Sequence, residues 1–278
     1  MEKIEARIQK AMTADRDGLK AFLKDPSDKV VMALLANPHI NYDDLLVLAK
    51  RRDLSSESLG LVAARKFSDE GYKVKLALVN NPRTPRRVAL AMLKYLRLRD
   101  TAYLTQNRAL PTELRQAAEG ALKAKLVSLP LGVKITLARL VSEDVLKAML
   151  MYNNPHLVKA CFENPGMREA TALWAVNHEK TPAVVVEFIS MSPRWSVLQS
   201  VRFALLRNPR TPVLRAIELV TGLKSTDLRY LYNDPSVPVS VKVQIEDELE
   251  RKGQPLSPPC ESGRVIGIVD EDVEAGDV

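Results

Sequence analysis

The chain has little cysteine and no long apolar run, and each of these shortages excludes a class of protein. Its two cysteines, Cys161 and Cys260, lie far apart in the sequence and form no metal-spaced pair. They provide neither a disulfide framework nor a zinc motif, and this usage is typical of a reducing compartment. No segment approaches the roughly 18 apolar residues that a membrane span needs, and the first residues lack the apolar core of a signal peptide. The sequence therefore predicts a cytoplasmic location and no membrane partner.

Motifs of catalysis and cofactor binding are also missing. The sequence has no glycine-rich phosphate loop, no nucleophile elbow and no paired metal motif. The three histidines, His39, His156 and His178, lie near asparagines in separate segments, which gives no reason for them to converge on a metal. Cys161 occurs in HLVKACF, a helical pattern that favours a small buried side chain. We expect no enzyme activity, no cofactor, no metal site and no small-molecule substrate.

The strongest positive signal is an internal repeat. Residues 74–85 are VKLALVNNPRTP and residues 201–212 are VRFALLRNPRTP, an offset of 127 positions (74 to 201). The match continues for about fifty positions, and weaker copies occur as ALLANP at 33–38 and LWAVNHEKTP at 173–182. Short units separated by proline turns predict a stack of helical repeats.

The turn residues predict where the helices of each unit end and begin. The residue before a proline is pushed out of the helical region, so the first helix of the unit should end near Val79 or Asn80. We expect Asn81 to close that end in the left-handed conformation. The hydroxyl of Thr84 should cap the next helix, with Pro85 as its first residue. Helices of about two turns are unstable alone in water, so each must pack on neighbouring units.

Two of these segments resemble a known family. ALLRNPRTPVLRAIELV at 204–220 and ALVNNPRTPRRVALAML at 77–93 resemble the leucine-rich repeat variant, a bacterial HEAT-like repeat in which an Asn-Pro-x-Thr-Pro turn joins a short and a longer helix. The resemblance implies an all-α, right-handed α-solenoid of short helix pairs that presents an extended face to a partner. Some members carry an N-terminal cysteine cluster for an iron–sulfur centre. This chain has no cysteine before Cys161, so the resemblance implies no cofactor.

Composition divides the chain into a helical body and a tail. We place the repeat body at residues 1–252, with residues 1–25 as an N-terminal cap of two short helices, and a disordered acidic tail at 253–278. From Gln254 onward there are six acidic residues and one arginine, a net charge of −5, which leaves +12 for the body of a chain whose total is +7. This asymmetry favours an anionic partner. The apolar stretch RVIGIV at 264–269 is either a mobile remnant or a peptide that docks on this protein or another.

A basic segment is the first candidate for partner binding. Arg86, Arg87, Lys94 and Arg97 would fall within roughly 100° of arc if one helix continued through them, with Tyr95 on the apolar side. Such a stripe could follow a phosphate backbone. The alternative is an ordinary solvated helix face, which the matched helix after residue 212 favours because it has no such stripe.

Aromatic residues give the second candidate. Trp195 lies beside Arg194 in the turn segment MSPRWSVLQ, and this pair is predicted to be an exposed anchor for a partner. Trp174 occupies an apolar position of the repeat and is expected in the core. Tyr103 and Tyr230 recur at equivalent repeat positions, which favours a packing role for both.

Two hypotheses of function follow, and a third is weaker. The first is a non-enzymatic helical-repeat scaffold that binds a protein or peptide. The second is sequence-independent nucleic-acid binding by the basic body. The third, an enzyme on a helical-repeat scaffold, would need an acid and aromatic side chains facing one groove.

Overall fold

The structure, a computed structural model, describes residues 3–65 and 71–256. Regular secondary structure in these ranges is entirely helical, which confirms the predicted all-α class. The first nine helices are α1 Ile4–Thr13, α2 Leu19–Phe22, α3 Asp28–Ala36, α4 Tyr42–Lys50, α5 Ser56–Ala64, α6 Tyr72–Asn80, α7 Arg86–Leu93, α8 Leu98–Gln106 and α9 Thr112–Leu126. The next nine described are α10 Leu131–Ala138, α11 Glu143–Leu150, α12 Pro155–Phe162, α13 Glu169–Asn177, α14 Ala183–Met191, α15 Gln199–Arg207, α16 Val213–Thr221, α17 Ser225–Tyr232 and α18 Val239–Arg251.

Several helix boundaries agree with the sequence. α6 ends at Asn80, one of the two predicted positions, and the two short helices expected before residue 25 are α1 and α2. None of the described helices is both long and apolar enough to cross a lipid bilayer. The predicted tail is described only as far as Leu256, so the RVIGIV stretch and Cys260 lie outside the described residues.

Neighbouring helices in the chain are also neighbours in space. The main contacts in the described ranges join helices that are one or two places apart, such as α13 with α14 and α13 with α15. The two-place contacts join odd-numbered helices to odd-numbered ones and even-numbered helices to even-numbered ones, for example α9 with α11 and α10 with α12. The short helices are therefore packed on helices that lie one or two places away in the chain.

The core consists of leucine and valine side chains on the inner faces of these helices. In α11 the fully buried residues are Val145, Leu146, Met149 and Leu150, whose spacing of one, three and four positions forms a single apolar stripe. Burying one such side chain stabilises the fold by about 1.5–3 kcal/mol. Two clusters of buried residues run through the described helices, one reaching from Ala11 to Ala118 and one from Ala102 to Leu249.

Asparagines close the corners between helices through their side chains. The Asn81 amide donates to the carbonyl oxygens of Ala49 at 2.9 Å and Arg51 at 2.7 Å, at the end of the helix two places earlier. Its Oδ1 accepts the backbone N–H of Arg83 at 3.1 Å. Asn81 itself has φ −91° and ψ 115°, so the predicted left-handed conformation is wrong. Asn81 thus satisfies carbonyl groups at the end of α4 through its side-chain amide, and its own backbone does not need the left-handed conformation.

The same bonds recur at two other buried corners. The Asn37 amide donates to Ala11 and Ala14 at 2.9 and 3.0 Å. The Asn164 amide donates to Ala138 and Val141 at 2.6 and 3.1 Å, and its Oδ1 accepts the N–H of Gly166 at 2.7 Å. Each of these asparagines ties its own corner to the helix two places before it.

Threonine also acts differently from the prediction. The Thr84 hydroxyl donates to the carbonyl of Leu78 at 2.6 Å, so it closes the end of α6 instead of capping α7. α7 begins at Arg86, and Pro85 takes the N-cap position with an extended ψ of 129°. The Thr211 hydroxyl makes the same bond to Leu205, also at 2.6 Å. Both proline turns therefore share one local hydrogen-bond pattern.

The two matched segments occupy different places in the order of contacts. The segment with Asn81 joins α6 to α7, and the one with Asn208 joins α15 to α16. From α6 to α15 is nine helices, an odd number. Even-numbered helices contact even-numbered ones two places away, and odd-numbered helices contact odd-numbered ones. α6 therefore belongs to the even-numbered series and α15 to the odd-numbered series.

Candidate binding surfaces

The predicted basic stripe is divided in the structure. α7 ends at Leu93, so Lys94 is its C-cap residue and Arg97 is the N-cap residue of α8. Arg86 and Arg87 are exposed at the opposite end of α7, roughly 12 Å away at 1.5 Å per residue. The single-helix arrangement is therefore wrong, because the chain turns before the helical period can bring these four side chains together.

Lys94 and Arg97 belong instead to a cluster that we call the cationic edge. It is formed by the first turns of α6 and α8 and the loop between α7 and α8, and its residues are Lys73, Lys75, Lys94, Tyr95, Arg97, Arg99 and Tyr103. The Tyr95 ring lies 4.9 Å from Lys94 Nζ and 5.3 Å from Lys75 Nζ. Tyr95 is 58% exposed, so its predicted place on the apolar side is wrong.

Two further ring contacts fix the arginines of the cationic edge. The Arg97 guanidinium lies 4.6 Å from the centre of the Tyr72 ring, and the Tyr72 oxygen accepts the Arg97 backbone N–H at 3.1 Å. The Tyr72 hydroxyl donates to Asp100, and burial together with this carboxylate raises the pKa of Tyr72. Arg99 lies 5.8 Å from the Tyr103 ring. The edge thus presents cations and tyrosine rings side by side.

A groove beside the cationic edge lies on the surface between α4 and α6, which pack together. It has a volume of about 400 Å³ and an apolar floor that includes Leu46, Leu76 and Ala77. The charged side chains that line it are Lys50, Arg52 and Lys73. The groove therefore continues the positive surface across the neighbouring helix.

Trp195 is buried, which corrects the prediction of an exposed anchor. The side chain is only 3% exposed, and its ring meets Phe162 edge-on with 5.8 Å between ring centres. Phe162 in turn stacks on Phe188 at 5.2 Å. Arg194 is exposed and its guanidinium lies 4.3 Å from the Trp195 ring. The turn after α14 folds the indole inward, between α12 and α14, where it fills the core.

The other aromatic predictions have mixed outcomes. Tyr103 is 47% exposed and Tyr230 is also exposed, so neither is an interior residue, although Tyr230 stacks on Phe203 with 6.2 Å between ring centres. Tyr103 lies on the solvent side of α8, since its neighbours Ala102 and Leu104 supply the buried side. Trp174 is half-buried and packs against the core cluster, so its predicted core position holds in part.

An exposed apolar surface lies at the starts of α16 and α18, which pack together. Leu214 is 76% exposed and Val239 is 78% exposed, and Val213 is exposed beside them. A groove of about 230 Å³ runs between the two helix starts and is lined by Val213, Pro238 and Val241 among others. We call Val213, Leu214 and Val239 the apolar surface. Exposed apolar patches can mark interaction sites in soluble proteins, and this surface is a candidate for one.

Cysteine and histidine form no reactive cluster in the described ranges. Cys161 is fully buried, as predicted, and burial raises the pKa of its thiol to about 12. His39 and His156 are exposed and His178 is half-buried, each on a different helix or corner. Among the described residues, no group of three or more His, Cys, Asp or Glu side chains is arranged to hold a metal ion.

The buried thiol leads to a prediction of its reactivity. In a Cys260→Ser variant, we expect Cys161 to react with an aromatic disulfide reagent at pH 8 only after denaturant is added. The reason is that the thiolate is the attacking species, and burial keeps the Cys161 pKa near 12. The release of the coloured thiol is the measurement. Rapid labelling of the native protein would contradict the buried position of Cys161.

Comparisons of the chain with protein-family models, curated proteins and solved structures found no match. The resemblance to the leucine-rich repeat variant thus stays a prediction.

Proposed function

We propose that this protein is a non-enzymatic binding scaffold, a right-handed α-solenoid of helix pairs that binds a protein partner through its apolar surface. Two features support the solenoid: the contacts between helices one and two places apart, and the asparagine corners that bond to the helix two places before. A series of short helices linked in this way gives a long, rigid surface.

The observation that carries the proposal is the exposure of Val213, Leu214 and Val239 on two packed helices. The equivalent positions of Val213 and Leu214 in the first copy, 127 residues earlier, are Arg86 and Arg87. An arginine pair therefore satisfies the same local backbone, and the fold itself does not require apolar residues there. Their presence in solvent is better explained by a partner that covers them.

A double substitution tests the apolar surface. Val213→Arg with Leu214→Arg installs the residues of the first copy and should abolish capture of the partner from cell extract, because two charges would be buried in an apolar interface. The control is Val127→Arg, since Val127 is 81% exposed at the end of α9, away from the apolar surface. Circular dichroism melting should show all three proteins folded.

The outcomes of this experiment separate the alternatives. Bands recovered with the native chain and the control, and lost with the double variant, are the expected result. Identical bands with all three proteins would show that the apolar surface is not the binding site. Light scattering at increasing concentration shows whether the partner is a second copy of the same chain.

A further inference from the structure

We infer that the cationic edge binds single-stranded nucleic acid, with phosphates held by its lysines and arginines and bases stacked on its tyrosines. This site is separate from the apolar surface and does not depend on the proposed protein partner. The inference rests on three observations: the local charge, the availability of Lys94, Arg97 and Arg99 at its centre, and the aromatic rings placed among them.

Positive charge is concentrated in this part of the chain. Residues 72–110 contain nine basic side chains and one acidic one, a net charge of +8, and the basic ones are Lys73, Lys75, Arg83, Arg86, Arg87, Lys94, Arg97, Arg99 and Arg108. The single acid is Asp100, which accepts the Tyr72 hydroxyl. The matched residues 199–237 contain six basic and three acidic side chains, a net charge of +3. The excess of positive charge is therefore specific to the first copy and is not a property that the two copies share.

The charges at the centre of the cationic edge are available to a ligand. Lys94, Arg97 and Arg99 form no ion pair with a described residue, and their contacts are with tyrosine rings. Arginines outside this centre do form ion pairs: Arg86 with Glu113 at 2.5 Å, and Arg207 with Asp234 at 2.7 Å. The first turns of α6 and α8 add the positive ends of two helix dipoles to the same place.

The exposed rings distinguish single strands from other polyanions. Tyr95 and Tyr103 are 58% and 47% exposed and lie among the cations. Unpaired bases stack on such rings while lysine and arginine follow the phosphates, which is how single strands are bound without sequence preference. In a duplex the faces of the bases are stacked on one another and are not available to the tyrosines. An acidic protein has no bases to stack. Neither would use the tyrosines.

Fluorescence anisotropy with a labelled oligothymidylate tests this site on the full chain. The charge variant is Lys94→Gln, Arg97→Gln and Arg99→Gln together. It should bind at least tenfold more weakly at low salt, and the slope of log K against log salt should fall by about 2, since each lost contact to a single strand removes about 0.7. The matched control is Lys123→Gln, Lys125→Gln and Lys180→Gln, which removes the same charge from exposed positions elsewhere.

The aromatic variant is Tyr95→Ala with Tyr103→Ala. It should lose about tenfold in affinity with little change in the salt slope, because stacking does not release counterions. The control charge variant and the Val213→Arg, Leu214→Arg protein should bind within about twofold of the native chain. Melting by circular dichroism confirms that each variant is folded.

Several results would overturn the inference. One is no binding of the oligonucleotide at low salt. A second is an equal loss in the charge variant and its control, which would indicate net charge alone. A third is unchanged binding by the tyrosine variant, and a fourth is equal or tighter binding of a duplex or of a polyglutamate peptide.

Discussion

Replacing Trp195 by alanine should lower the free energy of unfolding by about 3–5 kcal/mol, the usual cost of removing a large buried aromatic ring. The indole is 3% exposed and contacts Phe162, which itself stacks on Phe188. Removing it leaves a cavity between α12 and α14 that the surrounding helices can only partly close. Urea unfolding followed by far-ultraviolet circular dichroism measures the loss.

The neighbouring arginine provides the control for this experiment. Arg194→Ala removes a guanidinium that lies 4.3 Å from the same ring, and it should cost only about 0.5–1 kcal/mol because Arg194 is exposed. An alanine variant of Trp195 that unfolds at the same urea concentration as the native chain would contradict the buried position. Loss of partner capture without loss of stability would then support the exposed anchor that the sequence predicted.

Asn164→Asp should destabilise the protein by about 2–5 kcal/mol, the penalty for two buried carbonyls without a donor. The Asn164 amide donates to Ala138 and Val141, and the residue is fully buried. Aspartate keeps the oxygen that accepts the Gly166 N–H, so the turn itself is retained. What is lost is the pair of hydrogen bonds from the amide to the end of α10 and the turn that follows it. The midpoint and slope of urea unfolding are the measurement.

A matched corner shows whether this effect comes from burial. Asn107 is half-buried, and its amide donates only to Asn80 Oδ1, at 3.2 Å. Its counterpart in the second copy is Asp234, whose carboxylate accepts a bond from Arg207 Nε at 2.7 Å. The counterpart of Arg207 is Asn80, so Asn107→Asp gains no ion pair and should cost about 0.5–1.5 kcal/mol, the usual worth of the one hydrogen bond that it loses. Equal losses at the two corners would mean that the buried carbonyl bonds are not the cause.

The sequence predicted the helices well because their signals are local. Proline restricts the residue before it, which placed the end of α6 at Asn80 within one residue, and the turn at Ser142 separates α10 from α11. The all-α class followed from the repeat and the apolar periodicity. These features depend only on residues close in the chain.

The errors arose where the decisive partner is distant in the chain. Asn81 has an extended backbone because its amide bonds to residues about thirty positions earlier, which no local pattern reveals. Trp195 turns inward because Phe162 and its neighbours supply an apolar site for the ring. The division of the basic stripe has a different cause: the prediction extended the helical period past Leu93, where the helix ends.

The odd count of nine helices between the matched segments has a consequence for the surroundings of their side chains. In the proposed solenoid, counterpart residues such as Arg87 and Leu214 belong to opposite sides of the stack, because α7 is odd-numbered and α16 is even-numbered. The matched corners make the same threonine hydrogen bond, whereas the residues that follow them differ in chemistry. Arg86 and Arg87 place charge in solvent after the first corner, and Val213 and Leu214 place apolar groups there after the second.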